Sequence, residues 1–502
     1  MSCHLCHFPP WVMIAPPCGP TPPPGRMGRT GKSNGPLRPT RRRTGRPVPN
    51  PMRIFAVLSI ILLASFSSGT VWAQVSEQEA GALKTTLTPV GAERAGNKDG
   101  SIPAWTGGLV DPAYAVTSGP RRDPFAGEKP LFSITAANWQ DHADKLPEGA
   151  KQLFRTHPGY RMDIYPSHRT AAAPQAVYDN IFRNATSARP AAGGIQYGVE
   201  GAIGGIPFPI PKDGFQAVWN HLLAYWGPAR EVTVSTYVVP AGGAVELTSA
   251  YREIADFPYY YPGAKPADLD GYYFKSIRLA TAPASRIGEG YLYWQSLDIK
   301  RRELAAWRLL PGEKRVRKAP PISYDVPDPN AAGYMTQNEY YIFFGALDHY
   351  SFKLVGKAEM YIPYNNNRLY TLPLSGLLGK DHPNPDALRY ELHRVWVVEG
   401  TLAQGAHDVV PRRRLYLDED TWMAVYADGW DENGKLWKFG QATMYLMPDV
   451  PAVVIGSQFV HDFELGGYAF TFAFNEAPQH YQLTAPHPAT YFSPEALAAR
   501  SR

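Results

Sequence analysis

Between residue 231 and about residue 474, short alternating runs follow one another too closely for anything but antiparallel pairing. Runs 231–239 and 244–255 flank Pro240-Ala-Gly-Gly243, runs 272–280 and 290–299 form the next pair, and runs 303–310 and 314–318 flank Pro311-Gly312-Glu313. Further runs at 351–362, 391–402, 413–417, 421–430 and 436–446 continue the meander. A parallel neighbour needs a crossover of about a dozen residues or more, usually helical, and the intervals here hold none. Asn433-Gly434, inside the turn Asp431 to Lys435, tolerates positive φ and is a strong hairpin signal. The fold class read from this pattern is mainly β (α+β).

The faces of these runs narrow the choice further. Large groups stand on both sides of Gly290-Tyr-Leu-Tyr-Trp-Gln-Ser-Leu297, Arg394-Val-Trp-Val-Val398 and Leu436-Trp-Lys-Phe439. Such a sheet is covered on both sides or curved around a ligand.

The region before the meander is different. Residues 74–130 are irregular, punctuated by Gly, Pro and Asn, and read as an extended arm over a larger body. Thr135 is expected to cap a helical run through Trp139 and Ala143. Pro147 opens a second run carrying Leu153 and Phe154, and Pro174 a third through Val177, Ile181 and Phe182. Phe215, Val218, Leu222 and Trp226, spaced by three and four, make the apolar stripe of a better helix, which Gly227-Pro228 should stop. The Gly-rich run 193–205 lacks the Gly-Lys-Ser/Thr of a phosphate loop and the context of a dinucleotide site, so it reads as a bulged loop.

Composition matters most at the beginning of the chain. Residues 1–51 are rich in Pro, Gly and Arg with no acidic residue, and cannot bury a core. Residues 52–73 read as an export signal: Arg53, an apolar stretch from Ile54 to Phe66, and Val71-Trp72-Ala73 with cleavage expected after Ala73. Removing nine basic residues and no acidic one turns the net charge of +5 into −4, and all three cysteines leave with the same segment. A mildly acidic chain does not suggest nucleic acid as a partner. No disulfide framework is possible, and without a cysteine after the apolar stretch a bacterial-type lipid anchor is not expected. The expected location is the periplasm, as a soluble exported protein.

Templates for chemistry find little to hold. No Gly-x-Ser-x-Gly and no His-Glu-x-x-His occurs, and the scattered histidines show no metal-ligand spacing, so neither a catalytic residue nor a metal or cofactor is assigned. Asp381-His382-Pro-Asn-Pro-Asp386 has the composition of a plain loop, and Asp418-Glu419-Asp420 sits where a hairpin must turn, so a solvated turn is expected. The basic runs Arg412-Arg413-Arg414 and Lys314 to Lys318 are either a charged strand edge or a holder for an anionic head group. An envelope hydrolase using Glu303, Asp325 or Glu399 would need two carboxylates across a cleft.

Several stretches resemble one known family. They are Leu87-Thr-Pro-Val-Gly91 with Asn97-Lys-Asp-Gly100, Gly204-Gly-Ile-Pro-Phe-Pro-Ile-Pro211, Asp298 through Trp307 to Pro320, and Trp396-Val-Val-Glu-Gly-Thr401 continuing to Arg412 through Trp422. Together they resemble the domain-of-unknown-function 1329 family, outer-membrane lipoprotein-sorting-protein-like, itself distantly similar to the periplasmic carriers LolA and LolB. The resemblance implies an open, curved antiparallel half-barrel with helices on its concave side, enclosing a hydrophobic cavity. The chain departs from those carriers in its greater length and its long arm. The implied organisation is a leader (1–51), a signal peptide (52–73), arm and helices (74–229) and a half-barrel sheet with a C-terminal tail (230–502). The implied function is non-catalytic binding of a lipid, an acylated or another hydrophobic molecule, with inner- or outer-membrane transport proteins as partners; a structural role in an envelope transport complex is the alternative. Tyr293, Trp307, Trp396, Trp422 and Trp437 are the expected apolar lining, with Arg308, Arg315 and Arg317 near a polar head.

Overall fold

Alternation becomes sheet wherever a run finds an in-register neighbour, and here nearly every run does. The structure, a computed structural model, describes residues 75–313, 315–319 and 325–501. The expected leader (1–51), the expected export signal (52–73) and Lys314 lie outside them. Two short strands precede the meander, β1 (Phe132–Thr135) and β2 (Arg161–Tyr165), followed by a separate ribbon of β3 (Arg189–Pro190) and β4 (Val199–Glu200). The first half of the meander is β5 (Ala229–Pro240), β6 (Glu246–Asp256), β7 (Tyr272–Ala282), β8 (Gly290–Ser296), β9 (Ala305–Leu309) and β10 (Arg317–Lys318). The second half is β11 (Tyr350–Pro363), β12 (Tyr390–Leu402), β13 (Arg412–Asp418), β14 (Ala424–Trp430), β15 (Leu436–Met447), β16 (Ala452–Asp462) and β17 (Gly467–Ala473), with β18 (Gln482–Leu483) alongside β5.

The two halves join because β17 pairs antiparallel with β5, setting Tyr468 opposite Val239. The order across the sheet is therefore β11-β12-β13-β14-β15-β16-β17-β5-β6-β7-β8-β9-β10. Among the described residues β11 pairs only with β12 and β10 only with β9, so the 16-stranded sheet stays open. It is mixed, since β2 runs parallel to β12 and sets Ile164 opposite Tyr390. The result is mainly β with few helices, as expected of a curved half-barrel. Gly434, at φ 77°, takes the left-handed position of the expected Asn-Gly turn.

The helices are α1 (Glu77–Gly81), α2 (Glu148–Thr156), α3 (Gln175–Ser187), α4 (Gly214–Leu222), α5 (Leu374–Leu377) and α6 (Pro494–Arg500). No helix among the described residues is long and apolar enough to cross a membrane. α2 approaches β15 so closely that a Cβ on Gly149 would lie 2.0 Å from the Phe439 ring. Its first N–H groups, at Glu148 and Gly149, donate to the buried carboxylate of Asp428 on β14, which answers the orphan donors of a helix start. α4, capped by Asp213, packs against β11 and β12 and is buried over most of its circumference. It ends at Leu222, a turn earlier than the apolar stripe suggests, and the chain opens so that Trp226 meets Tyr341 at 4.8 Å between ring centroids.

The first expected helix is also modified. Thr135 ends β1 instead of capping a helix, and a 3₁₀ run, Trp139–Lys145, follows. The hydroxyl and amide of Thr135 both donate to Asn138, which closes a turn there. The arm lies along the body as expected. Trp105 donates to the Ala171 carbonyl at 3.0 Å, and Arg121 forks onto Asp449 just after β15.

Candidate functional site

Of the several places where chemically distinctive side chains gather, two stand out: a pocket on one face of β7–β9 and a buried charged cluster beneath the arm. The pocket follows from register. Ser276 on β7 stands opposite Tyr293 on β8, Phe274 opposite Gln295, and Arg278 opposite Tyr291. By the two-residue period these share one face, which we term inner, while Ile277, Leu292 and Trp307 share the outer one. The inner face forms one wall of a pocket of about 460 Å³, which Ala306, opposite Tyr293, and Leu304, just before β9, continue. Glu303 and Lys318 lie at the rim, 3.7 Å apart.

The opposite wall is a loop carrying Gln337, Tyr340, Tyr341 and Phe344. This segment is held in place from several directions. A capping box joins Thr336 and Glu339, and Gln458 on β16 accepts from the Ile342 amide while donating to the Glu339 carbonyl. Arg413 on β13 reaches Asn338 at 3.0 Å and Glu339 at 3.4 Å. His221 on α4 is the third support. Its Nδ1 accepts from the Ala424 amide at 3.0 Å, so Nε2 carries the hydrogen and donates to the Phe343 carbonyl at 2.8 Å. Burial pushes His221 down to about 4, which keeps it in this neutral form. The supports hold Tyr341 and Ile342 at φ 51° and 74°, a conformation that costs about 1–3 kcal/mol per residue when a side chain is present.

Behind the pocket lies an Arg-Glu-Arg set. Glu253 on β6 is fully buried and takes Arg230 at 2.6 Å on one oxygen and Arg278 at 2.5 Å on the other. Burial pushes the Glu253 carboxyl up, but the two guanidiniums outweigh it and its pKa is lowered. Arg230 also donates to the Tyr341 and Tyr481 hydroxyls. Arg278 lies over the rings of Tyr293, Tyr340 and Phe472 at 5.2–5.6 Å.

The second cluster overturns an expectation. Asp418, Glu419 and Asp420 form a turn, yet they are 0%, 2% and 5% exposed, because the arm covers what would have been a solvated corner. Glu93 meets Glu419 through its backbone amide, and Trp422 donates to the Val90 carbonyl. Arg169 forks onto Asp420 at 2.7 and 2.8 Å, and Arg394 and Lys357 hold Glu419 at 3.3 and 2.9 Å. His393, Asp418 and Asp420 offer possible metal-ligand atoms within 4.8 Å of one another. Both Asp420 oxygens are already engaged by a guanidinium, so a cation of the protein's own occupies that side. One Asp418 oxygen accepts from Thr421, the other has no partner among the described residues, and burial pushes the carboxyl up to about 7. Burial opposes a proton on His393, but its Glu391 neighbour outweighs this and its pKa is raised.

The residues expected to line a site are dispersed. Tyr293 lines the pocket. Trp307 faces outward, its ring 4.7 Å from that of Trp294, in a cluster with Phe492 and Leu497 of the C-terminal segment. Arg308 and Arg317 are exposed cross-strand neighbours, Arg317 meeting Glu313 at 3.2 Å, and Arg315 is exposed. Trp396 and Trp422 stack at 5.8 Å beside the arm, and Trp437 donates to Asp462 at the end of β15. β13 is an interior strand, so the Arg412-Arg413-Arg414 run is not a charged edge: Arg413 is buried, and Arg412 and Arg414 share Glu399. Glu303 is exposed at the rim, and Asp325 meets His407 at 3.2 Å. Arg278, Tyr340 and Phe344 belong to the pocket but carry no local signal, since long-range pairing assembles them.

Residues 133–498 match the family model described as protein of unknown function (DUF1329). An uncharacterized protein of Pseudomonas aeruginosa, PA3922, is 38% identical over 450 residues, 88% of this chain and 96% of that one. Among solved structures, a DUF1329 family protein from Desulfovibrio piger is similar with a TM-score of 0.37 and 14% identity, over 54% of this chain and 92% of that one. The LolA superfamily protein NE2245 from Nitrosomonas europaea is similar with a TM-score of 0.33 and 13% identity, over 55% and 95%. On the strength of the two sequence matches, the chain belongs to the DUF1329 family.

Proposed function

We propose that the protein is an exported, non-catalytic carrier that shelters a lipid, an acylated or another hydrophobic molecule in the pocket between the inner face of β7–β9 and the loop of Tyr340 to Phe344. The observation that carries this reading is a space of about 460 Å³ walled mainly by aromatic and aliphatic groups on the inner face of the sheet. Pockets of roughly 300–1,000 Å³ with apolar walls and a few placed polar groups are the usual shape of a small-molecule site. Burying apolar ligand surface at about 25 cal/mol per Å², offset by ordering costs, gives retention without preventing release. In this reading residues 52–73 direct export to the periplasm, and transport proteins of the inner or outer membrane are donor and acceptor.

The test is native mass spectrometry with lipid extraction on the protein purified from the periplasm of its own host. A stoichiometric hydrophobic adduct that disappears in Ala306→Trp, which fills the pocket, is the expected result. A clean unliganded mass under several growth conditions overturns the carrier reading.

A further inference from the structure

The head-group chemistry of the cargo can be read from the polar atoms the pocket leaves unused. Arg278 spends only Nε on Glu253; among the described residues its Nη1 and Nη2 form no hydrogen bond. The guanidinium lines the pocket and is flanked by the rings of Tyr293 and Tyr340. One more polar group of the same lining lacks a partner: the buried Gln295 Oε1, on the inner face, whose amide can turn to present its NH₂ instead.

Charge points the same way. Arg230 and Arg278 share the single carboxylate of Glu253. The nearby acid, Asp328, is committed elsewhere, accepting from the Tyr340 hydroxyl, the Gln337 side chain and the Asn330 amide. Glu303 and Lys318 at the rim face each other. A guanidinium whose Nη1/Nη2 edge is free against apolar walls matches an oxyanion, because charge-assisted bidentate bonds are the strong ones and grow stronger away from water.

We infer that this pocket selects amphiphiles with an anionic head, a carboxylate or a phosphate monoester, seated on the Nη groups of Arg278 with the chain along Phe274, Leu304 and Phe344. The inference rests on the carrier reading and adds a head-group class to it. No bond is made or broken.

The test is calorimetric titration of the delipidated full-length exported protein at neutral pH with decanoate, decyl phosphate and decanol, which share a chain and differ in head. The expected result is binding of at least one anion about tenfold tighter than decanol, with Arg278→Gln bringing the anions to the decanol level and leaving decanol unchanged. The preferred anion identifies the source of the head. Equal affinity for all three on the unmodified protein overturns the head-group inference and leaves the carrier reading standing. Binding of none of them overturns both. The comparison on the unmodified protein decides the matter even if Arg278→Gln fails to fold.

Discussion

The two buried charge clusters differ in what surrounds them. Beneath the arm, Arg169, Arg394 and Lys357 answer Glu419 and Asp420 nearly oxygen for oxygen, with little room left over. Beside the pocket, two arginines answer one glutamate, and the surplus donors open onto space. Buried ions are tolerable only when paired, so the first arrangement closes a structural joint and the second leaves a site for something else. Burial alone does not distinguish joint from site. Unused donors next to a cavity do.

The largest expected effect comes from Glu253→Ala. It leaves two buried guanidiniums facing each other, and arginine cannot shed its proton, so a loss of about 3–5 kcal/mol in urea unfolding is expected. Arg169→Ala breaks the other cluster but strands carboxylates, which can protonate. The expected cost is about 3 kcal/mol at neutral pH, shrinking in mild acid. Faster proteolysis near residues 94–103 should accompany it, because Arg169 also holds the Arg94 and Pro103 carbonyls. Equal pH dependence of the two variants would erase the contrast drawn here.

Asp418→Asn sharpens the comparison through its sign. The folded carboxyl is pushed up to about 7, against about 3.9 for an ordinary Asp, so the folded state holds a proton that the unfolded state has released. This group's contribution to stability therefore falls as pH rises from about 4 to 7 and is flat above that. The variant should match the parent near pH 4 and exceed it by about 1–3 kcal/mol above pH 7 in thermal unfolding. A constant difference across that window would remove the buried proton from the account. Smallest of all, Arg317→Ala on the exposed β10 should change stability by less than about 0.5 kcal/mol.

How legible these features were in the sequence depends on the range over which they form. β5 to β15 lie within a few residues of the alternating runs that suggested them, because period-two patterning and turn chemistry are local. β16 and β17 fall inside the predicted sheet without having been delimited, and β1 and β2 lie where an arm and helices were expected. The charged turn was misjudged because its cover arrives from far away: the Glu93 amide bonds to a residue 326 positions later. The pocket behaves the same way. Tyr293 sits on a strand whose face alternation reveals, whereas Tyr340 and Phe344 flank the left-handed Tyr341 and Ile342 in a loop whose conformation is imposed by Gln458, Arg413 and His221, none of them a neighbour in sequence.

The open edge of the sheet gives the pocket unequal jaws. One jaw, the Tyr340 loop, is bolted at three points to the middle of the sheet and to α4. The other ends at β9 and a two-residue β10, with no further strand beyond them among the described residues to stiffen it. The edge strands instead take their backing from the outer side, where Trp307 and Leu292 meet Phe492 and Leu497 of the C-terminal segment, so the two walls of the pocket rest on support of different origin.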